Sequence, residues 1–205
     1  MPSSADGGRA WVALAVALAL AALLASVAAP EALEWQPARA WFEPWRAWTA
    51  ALVHYSEFHL VVNLVGTALV AALGWFARAP LWTTIAWLVA WPLTQFGLLA
   101  RPDLLHYAGL SGALHAGTAC VGWQLAAHAR GQRRAIGVLV LAGLAVKVAS
   151  ESPWGAALRT PAGWDIATAP FAHASGLAAG LGAAIVCDAV ARLRGRSPKR
   201  ATDAT

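Results

Sequence analysis

A chain of 205 residues that is 59% hydrophobic and only 12% charged, with a mean hydropathy of +0.56, carries more apolar side chain than a soluble domain of this size can bury. The balance excludes an ordinary soluble globular class and makes lipid the expected solvent for much of the surface. The formal charge is +5, and the two cysteines, Cys120 and Cys187, each lie in an apolar run, where they read as small packing residues and not as a disulfide framework.

In chain order, residues 1–10 form a short polar start with Arg9. The first apolar run, Trp11 to Ala29, ends at Pro30. A secretory signal cleaved near Ala28-Ala29 has the same layout, but a run of about 20 residues in a chain this apolar favours a retained first span. The longest loop, from Pro30 to roughly Ser56, holds Trp35, Trp41, Phe42, Trp45 and Trp48 among Glu31, Glu34, Glu43, Arg39 and Arg46. Indole rings prefer the headgroup level, so this loop is expected to lie in the interface, as an aromatic anchor or a gate.

A second span is predicted over Glu57–Phe76 and a third over Leu81–Ala100, joined by a turn at Arg78 and Pro80. A polar loop, Arg101 to Tyr107, leads into the stretch Gly109-Leu110-Ser111-Gly112-Ala113-Leu114-His115 and a fourth span ending near Ala127. After the basic cluster 128–134, a fifth span runs from Ala135 to Ala149, interrupted by Lys147. A loop with Pro153, Pro161, Gly163 and Asp165 precedes the sixth, Phe171 to about Ala191. The reading is an all-α, six-span bundle over residues 11–191, with a basic tail, 192–205, expected to be disordered.

Ten of the 15 basic residues (Arg9, Arg78, Arg130, Arg133, Arg134, Arg192, Arg194, Arg196, Lys199 and Arg200) fall on the side that six spans give to both termini. That bias predicts cytoplasmic termini and an outward Trp-rich loop. It reads the tail as a topology signal touching anionic lipid, with no nucleic acid as partner.

Polar groups inside spans are costly and face a cavity or one another. Ser111 lies 17 residues before His128, about 25 Å along a helix, which puts it just below the outer surface of a layer about 30 Å thick. His173 stands at a similar level, counted back from Arg192. His59 and Asn63 lie one turn apart on one face near the outer start of the second span. A serine needs an adjacent base to become a nucleophile, and a histidine supplies one. Asn63 and His59, with the Ser111 backbone N–H, are candidate oxyanion donors. No carboxylate is evidently placed to orient the base, since Glu57 and Glu151 read as near-surface and Asp188 as cytoplasmic, so a Ser–His dyad is expected. Gly176 and Gly180, four apart, offer a smooth face for a close helix contact, with Gly112 on the matching surface.

These residues resemble the rhomboid intramembrane serine proteases. Trp45-Arg46 is similar to the family's loop signature, and His54 with His59-xxx-Asn63 to its second-helix motif. Gly109-Leu110-Ser111-Gly112 is similar to the nucleophile motif, and Ala172-His173-xx-Gly176-xxx-Gly180 to the base motif of the sixth helix. The resemblance spans about residues 42–190. It implies Ser111 as nucleophile, His173 as base and His59 with Asn63 as oxyanion donors.

The general family often has tyrosine four residues after the serine; here His115 stands there, as in the rhombosortase branch. Lys147 and Glu151 match a Lys-xxx-Glu of that branch and read as a structural ion pair. His115 either contacts His173 or is a satisfied interior histidine, and His54 is expected to brace the first loop. The branch implies a bacterial inner-membrane enzyme, opening to the outer side, that cuts membrane proteins at a C-terminal tail of Gly-Gly, an apolar span and a basic cluster. Neither a cofactor nor a metal is expected. The competing readings are a catalytically inactive rhomboid-like binding or chaperone protein, and a membrane protein holding haem or copper through its histidines.

Overall fold

In the computed structural model, which describes residues 4–196, the regular structure is helical, with only two isolated β-bridges and no strands among the described residues. The long helices are α1 (Ser4–Ala25), α4 (Glu57–Ala77), α5 (Leu81–Gly97), α6 (Ser111–His128), α7 (Gly131–Ser150) and α8 (Pro170–Arg196). Two single-turn helices, α2 (Pro30–Leu33) and α3 (Arg46–Thr49), lie in the Trp-rich segment. Four stretches are long and apolar enough to cross a membrane: Gly7–Ala25, Glu57–Ala77, Leu81–Ala100 and Pro170–Arg194. Helices α6 and α7 fall outside that set. His115, Gln124 and His128 dilute the first, while Arg133, Arg134 and Lys147 charge the second.

The position of α6 explains why it can be less apolar. It packs against α4, α5, α7 and α8, and much of its length is buried. Its polarity is therefore screened from lipid by neighbouring helices. Close approach depends on small residues. Cβ atoms at Gly176 and Gly180 of α8 would collide with the carbonyl oxygens of Gly112 and Ala116 of α6, so two pairs of small residues one turn apart form the seam expected of a small-xxx-small contact. On the opposite side, Trp87 of α5 lies over Gly117, where a Cβ would come within 2.7 Å of the indole, and donates Nε1–H to the Ala113 carbonyl at 2.8 Å. Trp11 stacks on Trp87 at 4.4 Å and bonds the Val70 carbonyl at 2.8 Å, tying α1 to α4 and α5.

Two boundaries differ from the sequence expectation. Helix α1 already begins at Ser4, within the stretch read as a polar start. Helix α8 continues through Arg196, so the tail expected to be disordered from Arg192 starts as helix; its remainder, 197–205, lies outside the described residues. The extension has a local cause. Arg192 clamps Asp188 one turn back with bonds of 2.9 and 2.6 Å, and basic residues suit a helix C-terminus.

The long 30–56 segment is ordered by Arg46, which is buried. Its guanidinium bonds the carbonyls of Glu31 and Glu34 at 3.0 Å each and pairs with Glu43. Trp45 beside it and Trp48 are half exposed, and Trp41 and Phe42 are largely exposed.

Candidate functional site

Three chain segments meet at Ser111. The turn before it is pinned to the Trp-rich segment by paired backbone bonds between Trp35 and Tyr107 (2.8 and 3.0 Å) and by Gly109 N–H to the Ala50 carbonyl at 2.9 Å. Gly109 has φ +121, a conformation that L side chains avoid, and a Cβ there would lie 2.6 Å from the His59 ring. Glycine is therefore what lets the chain turn into α6 beside His59. Ser111 is the first residue of that helix, so its side chain stands where backbone N–H groups are unpaired and the helix dipole is positive.

From α8, His173 brings Nε2 to 2.9 Å from Ser111 Oγ. Its other nitrogen, Nδ1, lies 2.6 Å from Glu151 Oε2. The sequence placed no carboxylate against this histidine, and the structure does. Glu151 caps the C-terminus of α7, and the bundle brings that end level with the start of α6. An ionised carboxylate can only accept, so His173 carries its proton on Nδ1 and leaves Nε2 to accept from the serine hydroxyl. Burial pushes the Glu151 carboxyl up, but hydrogen bonds from His173 and Lys147, with their charges, outweigh it and hold the group at about 2.

Lys147 and Glu151 do form the anticipated i,i+4 ion pair, at 2.9 Å. The pair faces the histidines: Lys147 Nζ is 2.7 Å from His115 Nε2 and 3.1 Å from His173 Nδ1. His115 stacks on His173, with ring centroids 4.2 Å apart and planes at 11°, and its Nδ1 lies 2.6 Å from the Ser111 carbonyl oxygen. Both readings of His115 thus describe it, because it touches His173 and its own nitrogens are satisfied.

Asn63 is buried and lines the same cavity as Ser111 and His173. One of its amide hydrogens goes to the His59 carbonyl at 3.0 Å; an amide nitrogen carries two, so one donor remains. His59 is also buried, with Nδ1 unpartnered, and abuts the Gly109 backbone. It does not line the cavity. His54 meets His59 edge to face at 4.9 Å, while Trp45 and Arg46 stay within the 30–56 segment and do not line the cavity that holds the serine.

The cavity has a volume of about 650 Å³. One end holds Ser111, His173, Lys147 and Glu151, and Trp164 of the 151–169 loop also lines it. Beyond them it is apolar, walled by Val62, Leu69 and Val70 of α4 and by Leu139, Val140 and Leu144 of α7. A polar cluster therefore caps a lipophilic groove between two helices.

Tyr107 was not anticipated from the sequence. Its buried hydroxyl lies 3.1 Å from the Gly109 carbonyl, 3.3 Å from Gly112 N and 3.4 Å from Ser111 Oγ. The signal in the sequence was its place four residues before the serine. Glu151 had a clearer one: the depth count that places Ser111 near the outer surface, applied to a helix starting at Gly131, places Glu151 there too. No protein-family model matches the chain, and no curated protein matches it.

Proposed function

We propose that this protein is an intramembrane serine endopeptidase of rhomboid-like, rhombosortase-like type. Its six long helices would all span a bacterial inner membrane, with both termini cytoplasmic and the site near the outer face. The observation that carries the reading is the alignment of Ser111 Oγ, His173 and Glu151 through bonds of 2.9 and 2.6 Å at the head of an apolar groove. Three groups from three helices, in the order nucleophile, base, orienting carboxylate, form the arrangement that acyl transfer needs.

In this reading a substrate's apolar segment lies in the groove between α4 and α7, and its outer end unwinds beside Ser111. A peptide within a helix has its backbone satisfied and is closed to attack, and glycines near the cut lower the cost of opening it. Ser111 Oγ attacks the carbonyl carbon as its proton passes to His173 Nε2; Glu151 stabilises the imidazolium through Nδ1–H. The oxyanion takes hydrogen bonds from the free Asn63 donor and the Ser111 backbone N–H. Collapse breaks the C–N bond, His173 returns the proton to the leaving nitrogen, and water then hydrolyses the acyl-enzyme by the same proton path. A tail of Gly-Gly, apolar span and basic cluster suits this geometry, because it joins an easily unwound bond to a segment that fills the groove.

The test is co-expression with candidate membrane proteins bearing such tails, wild type against Ser111→Ala, with mass spectrometry of the released C-terminus. Wild type is expected to yield a defined cut, and the alanine variant none at equal membrane insertion. An undiminished cut with Ser111→Ala would refute the assignment.

A further inference from the structure

We propose that Lys147 is a positioning residue of the hydrolytic site, holding Glu151 on one side and the His115 tautomer on the other, so that a circuit of five hydrogen bonds begins and ends on Ser111. The proposal rests on the protease reading given above. Followed around, the circuit runs from Ser111 Oγ to His173 Nε2 (2.9 Å), from His173 Nδ1 to Glu151 Oε2 (2.6 Å), and from Glu151 Oε1 to Lys147 Nζ (2.9 Å). It continues from Lys147 Nζ to His115 Nε2 (2.7 Å) and closes from His115 Nδ1 to the Ser111 carbonyl (2.6 Å).

The directions of these bonds are fixed by what each group can do. The Ser111 carbonyl only accepts, so His115 Nδ1 donates and its Nε2 is left bare; an ammonium only donates, so Lys147 supplies the proton that the bare nitrogen accepts. Two contacts then select that tautomer, the Ser111 carbonyl at Nδ1 and the ammonium at Nε2; without Lys147 only the carbonyl remains, and Nε2 is left without a donor. Glu151 likewise needs both oxygens held if Oε2 is to stay on His173. An exposed Lys–Glu pair at i,i+4 is a weak helix-surface contact. This one differs because the same ammonium also donates to His115, whose ring stacks on His173, and because α7, which carries it, packs on α6 while His173 belongs to α8. Lys147 thereby sets the position of α7's end relative to both helices that carry the nucleophile and the base.

The experiment uses the full chain in detergent micelles. It measures the rate at which a fluorophosphonate labels Ser111 in wild type, Lys147→Met, His115→Phe and the double variant; phenylalanine keeps a ring over His173 and removes both nitrogens. Each single variant is expected to label about 10- to 100-fold more slowly, the scale on which a small misplacement of a reacting group acts. The double variant should be no slower than the slower single, because both changes break one circuit. On a cleaved reporter, the loss should fall on kcat with KM in place.

Wild-type labelling rates in Lys147→Met, or single effects that multiply in the double variant, would overturn the proposal while leaving the protease reading intact. Absence of wild-type labelling at Ser111 would instead overturn that reading and the proposal with it. Should Lys147→Met fail to insert, nitrogen NMR of histidine-labelled wild type carries the test, with the His115 signal assigned by its loss in His115→Phe. A His115 Nε2 that is unprotonated but shifted as a hydrogen-bond acceptor supports the circuit, and an Nε2 that is protonated, or bare and free of any donor, overturns it.

Discussion

Replacing Glu151 by glutamine isolates the carboxylate's charge, because size and reach are nearly conserved. In the wild type, His173 Nδ1–H donates a hydrogen bond to Oε2 over 2.6 Å. A glutamine can turn its NH₂ toward Nδ1, which forces the imidazole proton onto Nε2 and leaves Ser111 facing a donor. Or it can turn its oxygen, which keeps the tautomer but offers no charge to the imidazolium. Lys147 is also left beside two imidazoles without its counter-charge. The equivalent loss in a fully buried serine protease triad is about 10⁴-fold in kcat. The Glu151 side chain is 29% exposed, so water replaces part of the lost stabilisation, and a fall of about 10²- to 10³-fold is expected, roughly 3–4 kcal/mol at the transition state. The assay is kcat and KM at neutral pH on a membrane reporter cut by the wild type. A rate within threefold of wild type would show that Ser111 and His173 work as a dyad and that the carboxylate contact is incidental. The pH dependence adds a second check. With its carboxyl held at about 2 against an ordinary 4.5, the stability from Glu151 is fully present above pH 4.5 and is lost only as pH falls through about 2. Acid unfolding in that window should therefore be shallower in Glu151→Gln.

Gly176→Ala should both destabilise and inactivate, because the added Cβ meets the Gly112 carbonyl and lies 3.2 Å from His115 Cβ. Overpacking of this kind costs about 1–3 kcal/mol; thermal unfolding in micelles and the Ser111 labelling rate report the two effects, and an unchanged melting temperature would refute the seam. His54 lies before α4, where burial and the neighbouring His59 charge outweigh a hydrogen bond at the Leu52 backbone and hold its pKa at about 4 against an ordinary 6.5. Its contribution to stability is present above pH 6.5 and lost as pH falls through 4, so thermal stability should fall over that range and fall less in His54→Gln. An identical pH dependence in the two proteins would remove His54 from the account.

What the sequence made legible were features that a single helix carries. Hydrophobic runs bounded by Pro30, Arg78-Pro80 and the 128–134 cluster located α1, α4, α5 and α6 to within a few residues at most boundaries, because apolar length and basic caps act locally. The shared depth of Ser111, His173 and Asn63 was also legible, since rise per residue is fixed. What depth cannot supply is azimuth. Glu151 and Ser111 can both be counted to one level, yet the sequence reads one as a near-surface partner of Lys147 and the other as a nucleophile, because nothing in either helix alone says which neighbour it faces. That is decided where Gly176 and Gly180 let α8 press onto α6, and where α7 returns alongside. The i,i+4 spacing of Lys147 and Glu151 pointed to an ion pair, and the pair exists; only the packing of three helices turns it toward His115 and His173. His59 shows the converse. Its spacing from Asn63 put both on one face, but the Gly109 turn closes over His59 and leaves Asn63 in the cavity. A small rotation about the helix axis thus separates a group aimed at substrate from one aimed at backbone, and hydrophobic pattern does not encode it when both flanks of the stripe are buried.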